Sequence, residues 1–143
     1  MLIIEHIKIY YMTLTAIIEK AADGGISIYT KDVKGAYGYG LTEQEAKNDF
    51  TEVLEEQAEF YKEKHGVSPE WYDGLEIEYV YDLSGFFEAF PFINASKFAK
   101  EIGLNSSLMR KYKGGLVTAS EKQKNVIQSK YNDIVKRLQA VRF

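Results

Sequence analysis

The sequence predicts an α+β protein, a small β-β-β-α-β N-terminal domain followed by an all-α helix-turn-helix domain. Three observations predict it. Apolar residues alternate with a period of two from Met12 to Lys20 and again from Ile26, as in half-buried strands. From Asn94 onward every periodic segment has helical spacing. The charge also changes sign along the chain: residues 1–82 carry 17 acids and 7 Lys/Arg, while residues 83–143 carry 4 acids and 11. A net charge of −3 for all 143 residues conceals that split of −10 and +7. The expected organisation is an N-terminal extension over residues 1–11, an α+β domain over 12–82 and a basic helical domain over 83–143.

The elements follow in order. Met12, Leu14, Ala16 and Ile18 form the inward side of a first strand. Asp23-Gly24-Gly25 tolerates the positive φ of a hairpin turn, and Ile26, Ile28 and Thr30 return. Lys34-Gly35 turns again into a short strand, Ala36-Tyr37-Gly38-Tyr39. Thr42 and Glu45 have the spacing of a capping box. The helix they open presents Ala46, Phe50, Val53, Leu54, Ala58 and Tyr61 on one face and mostly charges on the other, the pattern of a helix laid on a sheet. It is expected to end near Lys64, before Gly66 and Pro69. Leu75, Ile77, Tyr79 and Tyr81 mark a fourth strand, and together these imply one helix across an antiparallel sheet. Phe86, Phe87, Phe90 and Phe92 then crowd a segment closed by Pro91.

Residues 95–114 carry the strongest functional signal. They read as a helix, a tight turn at Gly103 and a second helix capped by Asn105. Ala99 is small where two helices would cross, and Phe98, Ile102, Leu104, Met109 and Tyr112 are spaced to point inward. Gly114-Gly115 stops the second helix. Apolar spacing alone describes any packed helical hairpin. The outward face of the second helix, however, carries Ser106, Ser107, Arg110, Lys111 and Lys113 without an acid. Hydroxyls and bases there suit base edges and phosphates. The candidate DNA-binding residues are therefore Asn105, Ser106, Ser107, Arg110, Lys111 and Lys113. A last helix begins at Ser120-Glu121-Lys122-Gln123, a second capping-box pattern. Its Ile127, Tyr131, Ile134, Leu138 and Val141 form a seam that either pairs with a second subunit or packs on its own domain.

Composition excludes several classes. With 45% hydrophobic and 27% charged residues the chain is globular rather than disordered. It has no cysteine, and His6 and His65 are far apart, which leaves no thiolate chemistry or histidine-rich metal centre. No apolar run approaches the ~20 residues of a membrane span. Glu5, His6 and Lys8 interrupt the start before a signal-peptide core forms, so a cytoplasmic location is expected.

The chain resembles the HicB-type antitoxins over nearly all of residues 12–143. Their N-terminal pattern of a strand pair, an Asp-x-x-Gly turn, a Gly-x-Thr step and an acidic helix start corresponds to Asp32-Val33-Lys34-Gly35, Gly40-Leu41-Thr42 and Glu45-Ala46. Lys31, Lys34 and Ala36 stand where the family usually has Pro, Pro and Cys. Some members carry a C-terminal helix-turn-helix. The resemblance implies a partner, a small basic ribonuclease toxin of the HicA type, and repression of the protein's own operon through double-stranded promoter DNA, as a homodimer or higher homo-oligomer. An acidic domain facing a basic partner fits, because opposite potentials speed and orient association.

Two rivals stand beside it. One is a phage-type transcriptional repressor whose N-terminal domain senses a ligand or oligomerises. The other is an enzyme: Asp32, Glu43, Glu45, Glu55, Glu56, Glu76 and Glu78 could gather Mg²⁺ for nuclease chemistry. Most of these fall on expected outward faces. Gly35-x-x-Gly38-x-Gly40 lacks the lysine and the strand-to-helix context of a phosphate loop. No catalytic residue, metal ligand or cofactor is therefore assigned.

Overall fold

The computed structural model describes residues 13–143, so Met12 and the expected extension over residues 1–11 lie outside the described residues. It is mixed α+β, with a four-stranded sheet and five helices among those residues. The chain parts between Tyr81 and Asp82 into two compact units.

The first unit holds β1 (Thr13–Lys20), β2 (Ile26–Thr30), β3 (Tyr37–Gly40), α1 (Glu43–His65) and β4 (Glu76–Tyr81). Alternation buries Leu14, Ala16, Ile18, Ile26 and Ile28 on one face of the sheet, where Ala46, Phe50 and Leu54 of α1 cover them. The β1–β2 hairpin turns at Gly24, whose φ is 94°, and the Asp23 carboxylate accepts the Gly25 N–H at 3.2 Å. Tyr39 donates its hydroxyl to the same carboxylate at 2.9 Å, which ties β3 to that turn and holds the Asp23 carboxyl below its ordinary value.

The sheet is not antiparallel as expected. Its order is β3-β2-β1-β4, and β4 runs parallel to β1, with Leu14 opposite Ile77 and Ala16 opposite Tyr79. The reason is connectivity. A helix between two strands returns the chain to the end it left, so β4 must run in the direction of β3. Two antiparallel pairings away, β1 shares that direction.

At its start α1 is capped by Thr42, whose hydroxyl accepts the Glu45 N–H at 3.2 Å. The Glu45 carboxylate reaches back one residue beyond the cap, to the Leu41 N–H at 2.9 Å. Gly66, at φ 76°, ends the helix. Tyr61, expected inward, is 40% exposed because it lies in the last turns, past the buried run that ends at Ala58.

The second unit is helical: α2 (Leu83–Ala89), α3 (Ala95–Glu101), α4 (Ser106–Lys113) and α5 (Glu121–Gln139). The phenylalanine-rich segment, not assigned as an element from sequence, forms α2. Asp82 caps it by accepting the Ser84 N–H at 3.0 Å. The ring of Phe86 packs 5.9 Å from both Phe98 and Tyr131, so α2 joins α3 and α5 through one aromatic cluster. No helix among the described residues is long and apolar enough to cross a membrane.

Candidate nucleic-acid interface

The candidate interface is built from α3, the turn and α4. Asn94 caps α3 by accepting the Lys97 N–H at 2.9 Å. Gly103 has φ 75°, a conformation an L side chain resists. The chain reverses there with the Leu104 N–H on the Ala99 carbonyl at 2.8 Å. Ala99 is fully buried, and Phe98, Ile102, Met109 and Tyr112 join it in the core. The first residue of α4 thus lies against the first turn of α3.

That placement alters the roles of several expected contact residues. Asn105 uses its side-chain oxygen as the cap of α4, on the Leu108 N–H at 2.9 Å. Ser106 is not on the outward face. It is half-buried, and its hydroxyl donates to the Ser96 carbonyl at 3.3 Å, because the first turn of α4 abuts α3. Ser107 and Arg110 are exposed and linked: Nη2 of Arg110 donates to the Ser107 hydroxyl at 3.0 Å. Nη1 donates to the Ser96 hydroxyl at 2.8 Å. The guanidinium is therefore held between the two helices. Lys111 and Lys113 extend from α4 into solvent.

Sequence reasoning missed Ser96, which positions Arg110 from the other helix, and the exposed Lys97 and Lys100 of α3. A hydroxyl in the first turn of the first helix, where the second crosses, is the signal that could have found Ser96. Residues 95–113 carry five Lys/Arg and one acid, Glu101. That acid is engaged by Arg137 of α5 at 2.6 Å, which leaves the positive field of α3 and α4 little opposed.

The α5 seam divides. Ile127 is buried, and Tyr131 and Ile134 pack on the unit's own core. Leu138 is 66% exposed, and Val141 lies beyond the helix end and is 48% exposed.

The carboxylates do not gather. Asp32 accepts the Thr15 N–H at 2.9 Å, Glu45 serves the start of α1, and Glu43 binds Tyr81 and Lys47. Glu55 and Glu56 are exposed on α1, and Glu76 and Glu78 on β4. Among the described residues no group of three or more His, Asp or Glu side chains is placed to hold a metal ion. Comparison with protein-family models, curated proteins and solved structures finds no match to the chain.

Proposed function

We propose that the protein is a HicB-type antitoxin and autorepressor: the acidic α+β unit neutralises a small basic ribonuclease and the helical unit binds double-stranded DNA at its own promoter. The observation that carries this reading is the α3–α4 pair, with Arg110 clamped by Ser96 and Ser107 at the front of a face that carries Lys111 and Lys113. A preoriented guanidinium suits bidentate contact with guanine or phosphate, and the exposed lysines suit phosphates. The exposed end of α5 supports assembly into a homodimer or higher homo-oligomer, with two α4 helices one DNA turn apart. The finer fold assignment, a HicB-like domain joined to a helix-turn-helix domain, belongs to the same proposal.

The test is fluorescence anisotropy with the DNA upstream of the gene and with a scrambled duplex. Arg110→Ala is expected to reduce discrimination between the two about 10- to 100-fold, the ~1–3 kcal/mol of one specific contact. Lys111→Ala is expected to weaken both and flatten the salt dependence. Equal affinity of the wild-type protein for the two duplexes, unaffected by either substitution, overturns the DNA assignment. Specific DNA binding without capture of any basic ribonuclease would favour the phage-type repressor.

A further inference from the structure

On the outer side of α1, two aromatic side chains lie outside the buried core. Phe60 is 68% exposed and Tyr61 40%, although both are large and apolar. With Val53, Glu56, Lys64 and His65 they line an open groove along the second half of the helix, where the Tyr61 and His65 rings lie 4.2 Å apart. Beside it runs a row of exposed carboxylates, Glu52, Glu55, Glu56, Glu59 and Glu63. Glu43, at the other end of α1, makes an ion pair with Lys47, whereas no salt bridge engages these five among the described residues.

We propose that this groove is where a basic polypeptide docks, seating an apolar side chain between Phe60 and Tyr61 while its Lys or Arg residues meet the Glu52–Glu63 row. Resting on the proposed antitoxin function, this names the surface that the basic partner takes. Charge complementarity chooses the occupant. Five carboxylates outnumber Lys62 and Lys64 on this stretch, so nucleic acid is repelled, and a second copy placing its own α1 there sets like charge against like. The apolar rings supply a desolvated anchor, and the acids flank it as a rim that steers approach. Because Phe60 is solvent-exposed and alanine favours helix, Phe60→Ala leaves the fold intact.

The experiment uses the full chain and two probes. The first is a lysine-rich amphipathic helical peptide with one tryptophan, compared with a glutamate-rich counterpart in an NMR titration. The second is the basic ribonuclease encoded beside the gene, in a calorimetric titration. Shifts centred on Val53, Glu56, Phe60 and Tyr61 are expected with the basic peptide alone. Phe60→Ala, and separately Glu56→Gln with Glu59→Gln and Glu63→Gln, are each expected to weaken binding of both probes at least about tenfold, whereas Phe92→Ala, at another exposed aromatic, leaves it unchanged. Shifts elsewhere, or ribonuclease affinity untouched by these variants, overturn the groove while the antitoxin reading stands. Peptide binding at the groove with no ribonuclease binding by the wild type keeps the groove and removes the antitoxin reading. Self-association that Phe60→Ala abolishes would make a second copy the occupant and overturn the proposal.

Discussion

Gly38 and Gly40 look in sequence like fragments of a phosphate loop, and their role is instead steric. A Cβ on Gly38 would lie 2.5 Å from the Phe50 Cβ and 2.6 Å from the Ala46 carbonyl, and one on Gly40 would lie 2.5 Å from the Ala46 nitrogen. The absence of side chains lets α1 rest directly on β3. Gly38→Ala is expected to cost about 1–3 kcal/mol through overpacking, read as a lower urea midpoint with an unchanged slope. Gly114→Ala is the control. Its φ is −78° and its nearest neighbour atom is 3.5 Å away, so it is expected to be neutral or slightly stabilising. Another residue-scale device is the hydrogen bond from the Tyr81 hydroxyl to Glu43. Burial pushes Glu43 up, but the bonds from Tyr81 and Lys47 outweigh it and hold its carboxyl below the ordinary value. Burial and that same carboxylate push Tyr81 up to about 12. The lowered carboxyl contributes stability that is present above its unfolded pKa and is lost as acid protonates it. The raised phenol contributes stability that is full below pH ~10 and disappears as pH rises through about 12. Glu43→Gln is therefore expected to flatten the pH dependence of the thermal midpoint below pH ~4.5, and above pH ~10 only by the share that the carboxylate adds to burial. An unaltered profile would show that the pair is uncoupled from folding.

At the scale of elements, the sequence reveals what local chemistry dictates. Thr42, Asn105 and Ser120 are recognisable caps, and each accepts a backbone N–H where expected. The period-two strands and the buried row from Ala46 to Ala58 follow from spacing alone. Two things did not. The parallel β1–β4 pairing is a property of topology rather than of any residue. Seven-residue α2 is too short to display a helical period, and its aromatic residues gain their meaning only from Phe98 and Tyr131 in other helices. The same limit applies to the interface. Side-chain chemistry does not reveal which helix turn abuts a neighbour, so Ser106 reads as outward in the sequence and is half-buried in the fold. Asn105 separates stability from recognition. Asn105→Ala is expected to cost about 1 kcal/mol through loss of the cap. Asn105→Asp keeps a capping oxygen but places a carboxylate at the proposed DNA face. Its thermal midpoint is expected to match the wild type while promoter affinity falls at least about tenfold. Loss of stability with DNA binding intact would mean that Asn105 is only a cap on a face DNA does not touch.

For the whole molecule, the two units have separate cores, one centred on Phe50, Leu14 and Ile18 and the other on Ala99, Met109 and Phe98. Separate cores with opposite charge predict separable activities. On the proposed function, a fragment of residues 1–81 is expected to bind the proposed ribonuclease partner and not DNA, while a fragment of residues 82–143 is expected to show the reverse preference. Both interactions should weaken as salt rises, since each joins opposite fields. The cut must fall before Asp82 rather than after it. The Asp82 carboxylate takes the Ser84 N–H, and Ser84 is itself buried in the unit that Asp82 opens. A fragment beginning at Leu83 loses that cap and is expected to be about 1 kcal/mol less stable, visible as a lower thermal midpoint in circular dichroism. Its DNA affinity at a temperature where both fragments are folded should nonetheless equal that of 82–143, because Arg110, Lys111 and Lys113 are unaffected by the cut. A fall in affinity equal to the fall in stability would mean that α2 orders the α3–α4 pair rather than merely supporting it. Ribonuclease capture by the C-terminal fragment alone would overturn the division of labour itself.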